Sequence, residues 1–170
     1  HLMTWVPGNL YYSINIGQGS LSLNAALRAV QNTILPVQHA FYAFSAILVP
    51  EFVRYLANHK RNKIMKAINA PLLIMAFSAV VYWVILWVFN TPIMSFLYGS
   101  RYGDISYLVP WIGFLPVLFA GNAVFSASLR AMEKPNYIFI AYGIASAFTA
   151  TAGVAMTLSY GLPGIVLAMI

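Results

Sequence analysis

Charged residues are scarce in this sequence. Only 7% of its 170 residues are Asp, Glu, Lys or Arg, whereas 61% are hydrophobic. An ordinary soluble domain carries about 25% charged residues, because a soluble fold needs them to cover its surface. A surface that faces lipid has no such need, and helices satisfy their own backbone hydrogen bonds there. The composition therefore excludes an ordinary soluble protein and predicts an all-α, polytopic membrane protein.

Cysteine is absent, and the residues that usually carry catalysis are few. The lack of cysteine excludes disulfides and thiolate metal sites. The three acidic residues, Glu51, Asp104 and Glu133, and the three histidines are scattered, and none of them forms a metal-binding or nucleophile motif. Glycine patterns of the phosphate-loop type are also missing. The sequence thus predicts no catalytic residue, no metal and no cofactor, and indicates that the protein is not an enzyme.

Acidic residues are outnumbered by basic ones, nine to three, which gives a net charge of +6. The basic residues lie in loops between apolar runs, and no polar domain is present to bind nucleic acid, so we expect no nucleic-acid partner. Basic loops of membrane proteins stay in the cytoplasm. We therefore place the turns at 58–66 and 130–136 in the cytoplasm and the turns near 17–22, 98–104 and 160–164 outside.

Apolar runs divide the chain into predicted membrane spans, since about 20 residues of helix cross a hydrocarbon core about 30 Å thick. The chain begins at His1 rather than at a methionine and ends within an apolar run, so we expect it to be a fragment of a longer protein. The predicted spans are a truncated one at 2–16, four complete ones at 23–58, 67–97, 105–132 and 137–160, and a truncated one at 163–170.

A polar stripe runs along the predicted helix at 23–58. At 100° per residue, its members fall within an arc of roughly 120°, and the opposite side is apolar apart from Thr33. Such a stripe either lines a watery transport path or joins packed helices through hydrogen bonds. We favour the path, because the stripe is long and contains an arginine. The stripe consists of Asn24, Arg28, Gln31, Gln38, His39, Tyr42 and Ser45.

Individual polar residues allow two interpretations each. Arg28, near the outer end of the stripe, is suited to bind phosphate or pyrophosphate, or it extends to the interface as a membrane anchor. His39 is a candidate for proton coupling or a simple hydrogen-bond donor. Asn122 and Ser126, four residues apart, indicate a packing face that also lines the cavity. The predicted substrate cavity is lined by Asn24, Arg28, Gln31, Gln38, His39, Tyr42, Asn122 and Ser126.

Several short motifs resemble those of polysaccharide flippases. They are Leu-Tyr-Gly-Ser-Arg-Tyr at 97–102, Pro-Trp at 110–111, Ser-Leu-Arg-Ala-Met-Glu-Lys-Pro at 128–135 and Tyr-Gly-Leu-Pro-Gly-Ile-Val at 160–166. Together they span nearly the whole sequence. On these motifs the chain resembles flippases of the multidrug, oligosaccharidyl-lipid and polysaccharide exporter superfamily.

The resemblance implies a fold and a function. Such proteins are built from two bundles of six helices, so the chain would be part of one six-helix half. They move an undecaprenyl-pyrophosphate-linked oligosaccharide across the bacterial inner membrane by alternating access. The implied partners are the lipid-linked oligosaccharide, membrane lipid and the remaining half of the same transporter. The motifs assign no functional residue, and Arg28 is selected on helix geometry alone.

Three other functions stay open at this point. A cation-coupled multidrug exporter of the same superfamily usually needs an acidic group deep in a bundle, whereas Glu51 lies near the predicted cytoplasmic end. A membrane-embedded polysaccharide polymerase or ligase would need a large outer loop with catalytic side chains, whereas the loops here are short. A purely structural membrane subunit is the remaining alternative.

Overall fold

The computed structural model describes residues 21–58 and 64–169, and these residues are almost entirely helical, without a β-strand. The predicted span at 2–16 lies outside the described residues. The helices are α1 (Leu21–Asn32), α2 (Leu35–Asn58), α3 (Ile64–Val88), α4 (Asn90–Tyr98), α5 (Val109–Ile112), α6 (Leu115–Ala131), α7 (Pro135–Phe148) and α8 (Val154–Met169); a 3₁₀ segment covers Gly99–Leu108 and a π turn covers Thr149–Gly153.

Four helical stretches are long and apolar enough to cross a membrane: Leu35–Asn58, Ile64–Val88, Tyr102–Ala131 and Pro135–Gly161. The first has 24 residues, or about 36 Å at 1.5 Å per residue, which exceeds a hydrocarbon core about 30 Å thick. The prediction of an all-α chain with membrane-spanning helices is confirmed at this level.

Helix α6 occupies the centre of the bundle, where it packs against both α2 and α3. One hydrophobic core lies between these three helices and contains Phe41, Phe52, Met75 and Val124. A second core joins α1 and α5 to the end of α8. Its members include Leu27, Val30, Ile112, Ile165 and Val166.

The helix predicted at 23–58 is interrupted in the structure at Thr33 and Ile34, which separate α1 from α2. Pro36 explains the break, because proline has no N–H to donate to the carbonyl four residues earlier and its ring clashes there. In the turn, hydrogen bonds join residues three positions apart. The Thr33 N–H donates to the Val30 carbonyl at 3.1 Å, and the Ile34 N–H donates to the Gln31 carbonyl at 3.0 Å. The hydroxyl of Tyr82 on α3 donates to the Thr33 carbonyl and ties the break to the bundle.

Helices α7 and α8 form one long element with two irregularities. The π turn Thr149–Gly153 joins them, and Gly161 has a φ of 60° and a ψ of −134° within α8. That backbone conformation favours glycine, because a side chain at positive φ is strained. The kink allows the end of α8 to pack in the second core, whereas α7 itself has no buried residue.

Candidate functional site

The break at Thr33 divides the predicted polar stripe between two helices. On α1, Arg28 is exposed, while Asn24 and Gln31 are half-buried. The Nε2 of Gln31 lies 3.3 Å from the sulfur of Met169 at the end of α8. This part of the stripe is therefore adjacent to the second core, and Gln31 contacts another helix.

Arg28 lines a cleft of about 420 Å³ between α1 and the chain around the 3₁₀ segment. The phenol rings of Tyr98 and Tyr102 form one wall, with ring centres 5.5 Å apart and planes at 90°. Asn32 fixes this wall, because its Nδ2 donates to the hydroxyl of Tyr98 at 2.9 Å. Two alanines, Ala25 and Ala29, complete the lining on the α1 side. The cleft thus combines one guanidinium, one amide and two aromatic rings.

The sequence analysis selected Arg28 but missed the amide and the two tyrosines that line its cleft, Asn32, Tyr98 and Tyr102. Asn32 is four residues after Arg28 and thus follows it on the same helical face, which was the available signal. Tyr98 and Tyr102 have the same spacing, but tyrosines near a membrane boundary are usually interpreted as anchors. The cleft contains none of the other predicted cavity residues.

The part of the stripe on α2 forms an accessible polar face. The Nε2 of Gln38 donates to the hydroxyl of Tyr42 at 3.2 Å. His39 is exposed, and Tyr42 keeps 60% of its surface accessible. This arrangement suits either an aqueous path or contact with a further polar helix, since neither a phenol hydroxyl nor an imidazole is favourable in hydrocarbon.

The stripe ends in a helix contact at Ser45. This side chain is buried, and its hydroxyl donates to the carbonyl of Ala123 on α6 at 3.1 Å. Ser45 therefore joins packed helices, which was the alternative interpretation of the stripe as a whole. At this position the structure favours the packing contact over the watery path.

Asn122 and Ser126 lie together on α6. The hydroxyl of Ser126 donates to the Oδ1 of Asn122 at 3.0 Å. Asn122 is exposed and Ser126 is half-buried, so the pair forms a polar patch on the central helix. It flanks Ala123, whose carbonyl accepts the bond from Ser45, and so adjoins the contact between α2 and α6.

Among residues 21–58 and 64–169, no group of three or more His, Asp or Glu side chains is arranged to hold a metal ion. The cleft of Arg28 instead presents a guanidinium, an amide and two phenol rings.

Comparison with known proteins identified no relative. No protein-family model, curated protein or solved structure matches the chain.

Proposed function

We propose that this chain belongs to a flippase that moves a lipid-linked oligosaccharide across the bacterial inner membrane by alternating access. It would supply part of one six-helix half of a two-bundle transporter. The proposal rests on the short motifs that resemble the flippases and on the polar surfaces of an otherwise apolar bundle.

The observation that carries the proposal is the cleft of Arg28. A guanidinium binds a phosphate or pyrophosphate through two parallel hydrogen bonds, and an aromatic ring offers a flat surface to the apolar face of a sugar. Tyr98 and Tyr102 provide such rings beside Arg28. A phosphorylated saccharide carries both chemistries, so it matches this cleft better than a purely apolar drug does.

The break between α1 and α2 adds support. Transporters frequently use discontinuous helices next to their substrate path, because the interrupted backbone is tolerated only where protein or water covers it. Here Arg28 and Asn32 precede the break, and Gln38 and Tyr42 follow it. A substrate moving along the polar face would therefore pass the interruption.

Thiol labelling along α1 and α2 tests whether the polar face is wet. Single cysteines in the otherwise cysteine-free chain would be treated in membranes with a water-soluble maleimide. We expect labelling at positions 28, 38, 39 and 42, and none at 45, where the side chain is buried.

Ile47 is the matched control for this experiment. Its side chain is 62% exposed, nearly the same as the 60% of Tyr42, but it lies on the apolar side of α2. If the polar face lines water, Tyr42→Cys reacts and Ile47→Cys does not, because lipid shields Ile47 from the reagent. If neither cysteine is labelled, the polar face does not line water, and the stripe joins packed helices instead.

The chemistry of export separates a flippase from the other candidates. Loss of a flippase leaves single lipid-linked repeat units on the cytoplasmic leaflet, whereas loss of a polymerase or ligase leaves them on the outer leaflet. We expect the first result when the gene is deleted. The measurement is whether the lipid-linked glycan is accessible from outside in intact spheroplasts, without protease treatment. Accumulation on the outer leaflet would favour the polymerase or ligase.

A further inference from the structure

The two tyrosines that line the cleft of Arg28 differ in their hydrogen bonds. The hydroxyl oxygen of Tyr98 accepts a hydrogen bond from the Nδ2 of Asn32 at 2.9 Å. The hydroxyl of Tyr102 forms no such bond within residues 21–58 and 64–169. The two rings contact each other edge to face, with centres 5.5 Å apart. Two residues of the same type therefore share one cleft, and the hydroxyl of only one of them is held in place there.

The bond to Asn32 places the Tyr98 hydroxyl in the same part of the cleft as the guanidinium. Asn32 follows Arg28 by four residues on α1, and side chains at this spacing are neighbours on one helical face, about 5–6 Å apart at their Cβ atoms. Both side chains line the cleft. The phenol oxygen of Tyr98, which lies within hydrogen-bond distance of Asn32, is therefore on the α1 side of the tyrosine wall.

Asn32 also determines how the Tyr98 hydroxyl can act. A phenol donates one hydrogen bond and can also accept. Because a lone pair of its oxygen receives the amide N–H, the O–H of Tyr98 stays available as a donor, and it has no acceptor in the described part of the chain. The guanidinium of Arg28 has five N–H donors and no acceptor. The described lining of the cleft contains no carboxylate, so it is suited to a ligand that is anionic and rich in acceptors.

We propose that Tyr98 is a specificity-determining residue, which donates its O–H to an oxygen of the phosphate bound by Arg28, and that Asn32 is its positioning residue. The ligand is the phosphate of the lipid-linked glycan, so this role of Tyr98 rests on the proposed function. Hydrogen bonds to charged groups are stronger than those between neutral groups, and Tyr98 therefore favours an oxyanion over the hydroxyl of a sugar. Tyr102 contributes its ring to the cleft and no hydrogen bond to the phosphate.

Membrane anchoring is the other role that tyrosines at such positions have. An anchor places its ring at the boundary between lipid and water and needs no fixed partner in the protein, whereas the Tyr98 hydroxyl bonds to a side chain 66 positions away. Anchoring would make the two tyrosines equivalent. The proposed role makes them different, because only the hydroxyl of Tyr98 is directed by Asn32.

Titration calorimetry of the purified protein with inorganic pyrophosphate tests the proposal. Tyr98→Phe keeps the ring and removes only the hydroxyl, and it should weaken pyrophosphate binding about tenfold, the effect of one hydrogen bond to a charged group. Tyr102→Phe is the matched control, because it makes the same change in the same cleft. It should bind pyrophosphate as tightly as the unmodified protein does.

A double-mutant cycle tests whether Asn32 acts through Tyr98. Asn32→Leu removes the amide at nearly constant size and should weaken pyrophosphate binding in the presence of Tyr98. In the Tyr98→Phe background the same substitution should have little further effect, because the hydroxyl that Asn32 positions is already absent. The same loss in both backgrounds would show that Asn32 acts independently and would overturn its positioning role.

Arg28→Ala separates failure at Tyr98 from failure of the proposed function. If Arg28→Ala weakens pyrophosphate binding and Tyr98→Phe does not, the cleft binds phosphate without Tyr98, and only the role of Tyr98 is overturned. If the unmodified protein does not bind pyrophosphate, or if Arg28→Ala binds it equally well, the cleft is no phosphate site and both proposals fail. Equal weakening in Tyr98→Phe and Tyr102→Phe would indicate a general effect on the aromatic wall and would also overturn the role of Tyr98.

Discussion

At the scale of single residues, Arg28 differs from the other basic side chains of the described region. It lines a cleft with Asn32 and two tyrosines, whereas Arg130 lies at the end of α6 and Lys134 lies in the turn after it, 5.8 Å from the ring centre of Tyr137. Arg54 is paired with Glu51. The planar guanidinium of Arg28 thus shares a cleft with two phenol rings, and the proposed contact with a phosphorylated sugar rests on this arrangement.

Replacing Arg28 with alanine should impair export of the lipid-linked glycan by roughly tenfold, because two charge-assisted hydrogen bonds to phosphate are lost. Arg28→Lys should recover part of the activity, since lysine keeps the charge but not the planar fork. The measurement is surface glycan in cells with equal amounts of protein in the membrane. Arg130→Ala serves as the control and should export normally; a matching loss in both variants would show that positive charge in general, and not the cleft, matters.

The sequence could select Arg28 as a candidate site residue, but it could not predict which residues surround it. A helical projection places Arg28 and Gln31 on one face, because residues of one helix share a known geometry. The bond between Asn32 and Tyr98 joins residues 66 positions apart, and no local pattern encodes such a pair. Ser45 fits the polar stripe by spacing, yet a carbonyl on α6 accepts its hydrogen bond and buries it.

At the scale of helices, four stretches are long and apolar enough to cross a membrane, and proline alone does not determine where a helix is interrupted. Pro50 and Pro71 lie inside continuous helices, whereas the break near Pro36 divides α1 from α2. Proline weakens a helix at each of these positions, and tertiary contacts decide whether it stops. At Thr33 the bond from Tyr82 stabilises the interruption.

A substitution at Gly164 tests how closely two parts of the α8 backbone approach each other near its kink. A Cβ at this position would lie 2.1 Å from the carbonyl oxygen of Met156, so Gly164→Ala should destabilise the protein by about 1–3 kcal/mol through backbone displacement. Gly121, on α6, has no atom within 4 Å of the same hypothetical Cβ. Gly121→Ala should keep or raise the melting temperature in detergent, because alanine favours a helix. Equal melting temperatures for the two variants would contradict this account of the kink.

At the scale of the whole molecule, packing is uneven. The stretch Tyr102–Ala131 is half buried within the described chain, whereas Pro135–Gly161 is only 11% buried over its most apolar window. The central helix α6 therefore organises the bundle, and α7 presents nearly all of its surface outward. In a membrane that surface faces lipid or another helix, and its hydrophobicity does not distinguish between the two.

Orientation in the membrane gives a prediction for the whole chain. The charge of the loops predicts that position 103 lies outside and position 136 in the cytoplasm, and both residues are exposed in the structure. In intact cells, an impermeant maleimide should label Gly103→Cys and should label Asn136→Cys only after permeabilisation. The reverse pattern would invert the proposed topology while leaving the helical bundle unchanged.

The π turn between α7 and α8 has a consequence for the evolution of the sequence. A π turn holds one residue more than the α-turn it replaces, and such bulges frequently occur at functional positions. The residues Thr149–Gly153 therefore correspond to a regular helical turn with one residue inserted. A related chain without the bulge would align with this one across a gap of one residue inside a membrane span, where gaps are otherwise rare. Deleting one residue there should restore a regular α-helix and leave Ile165 and Val166 in the second core, because the π turn takes up the extra residue within one turn.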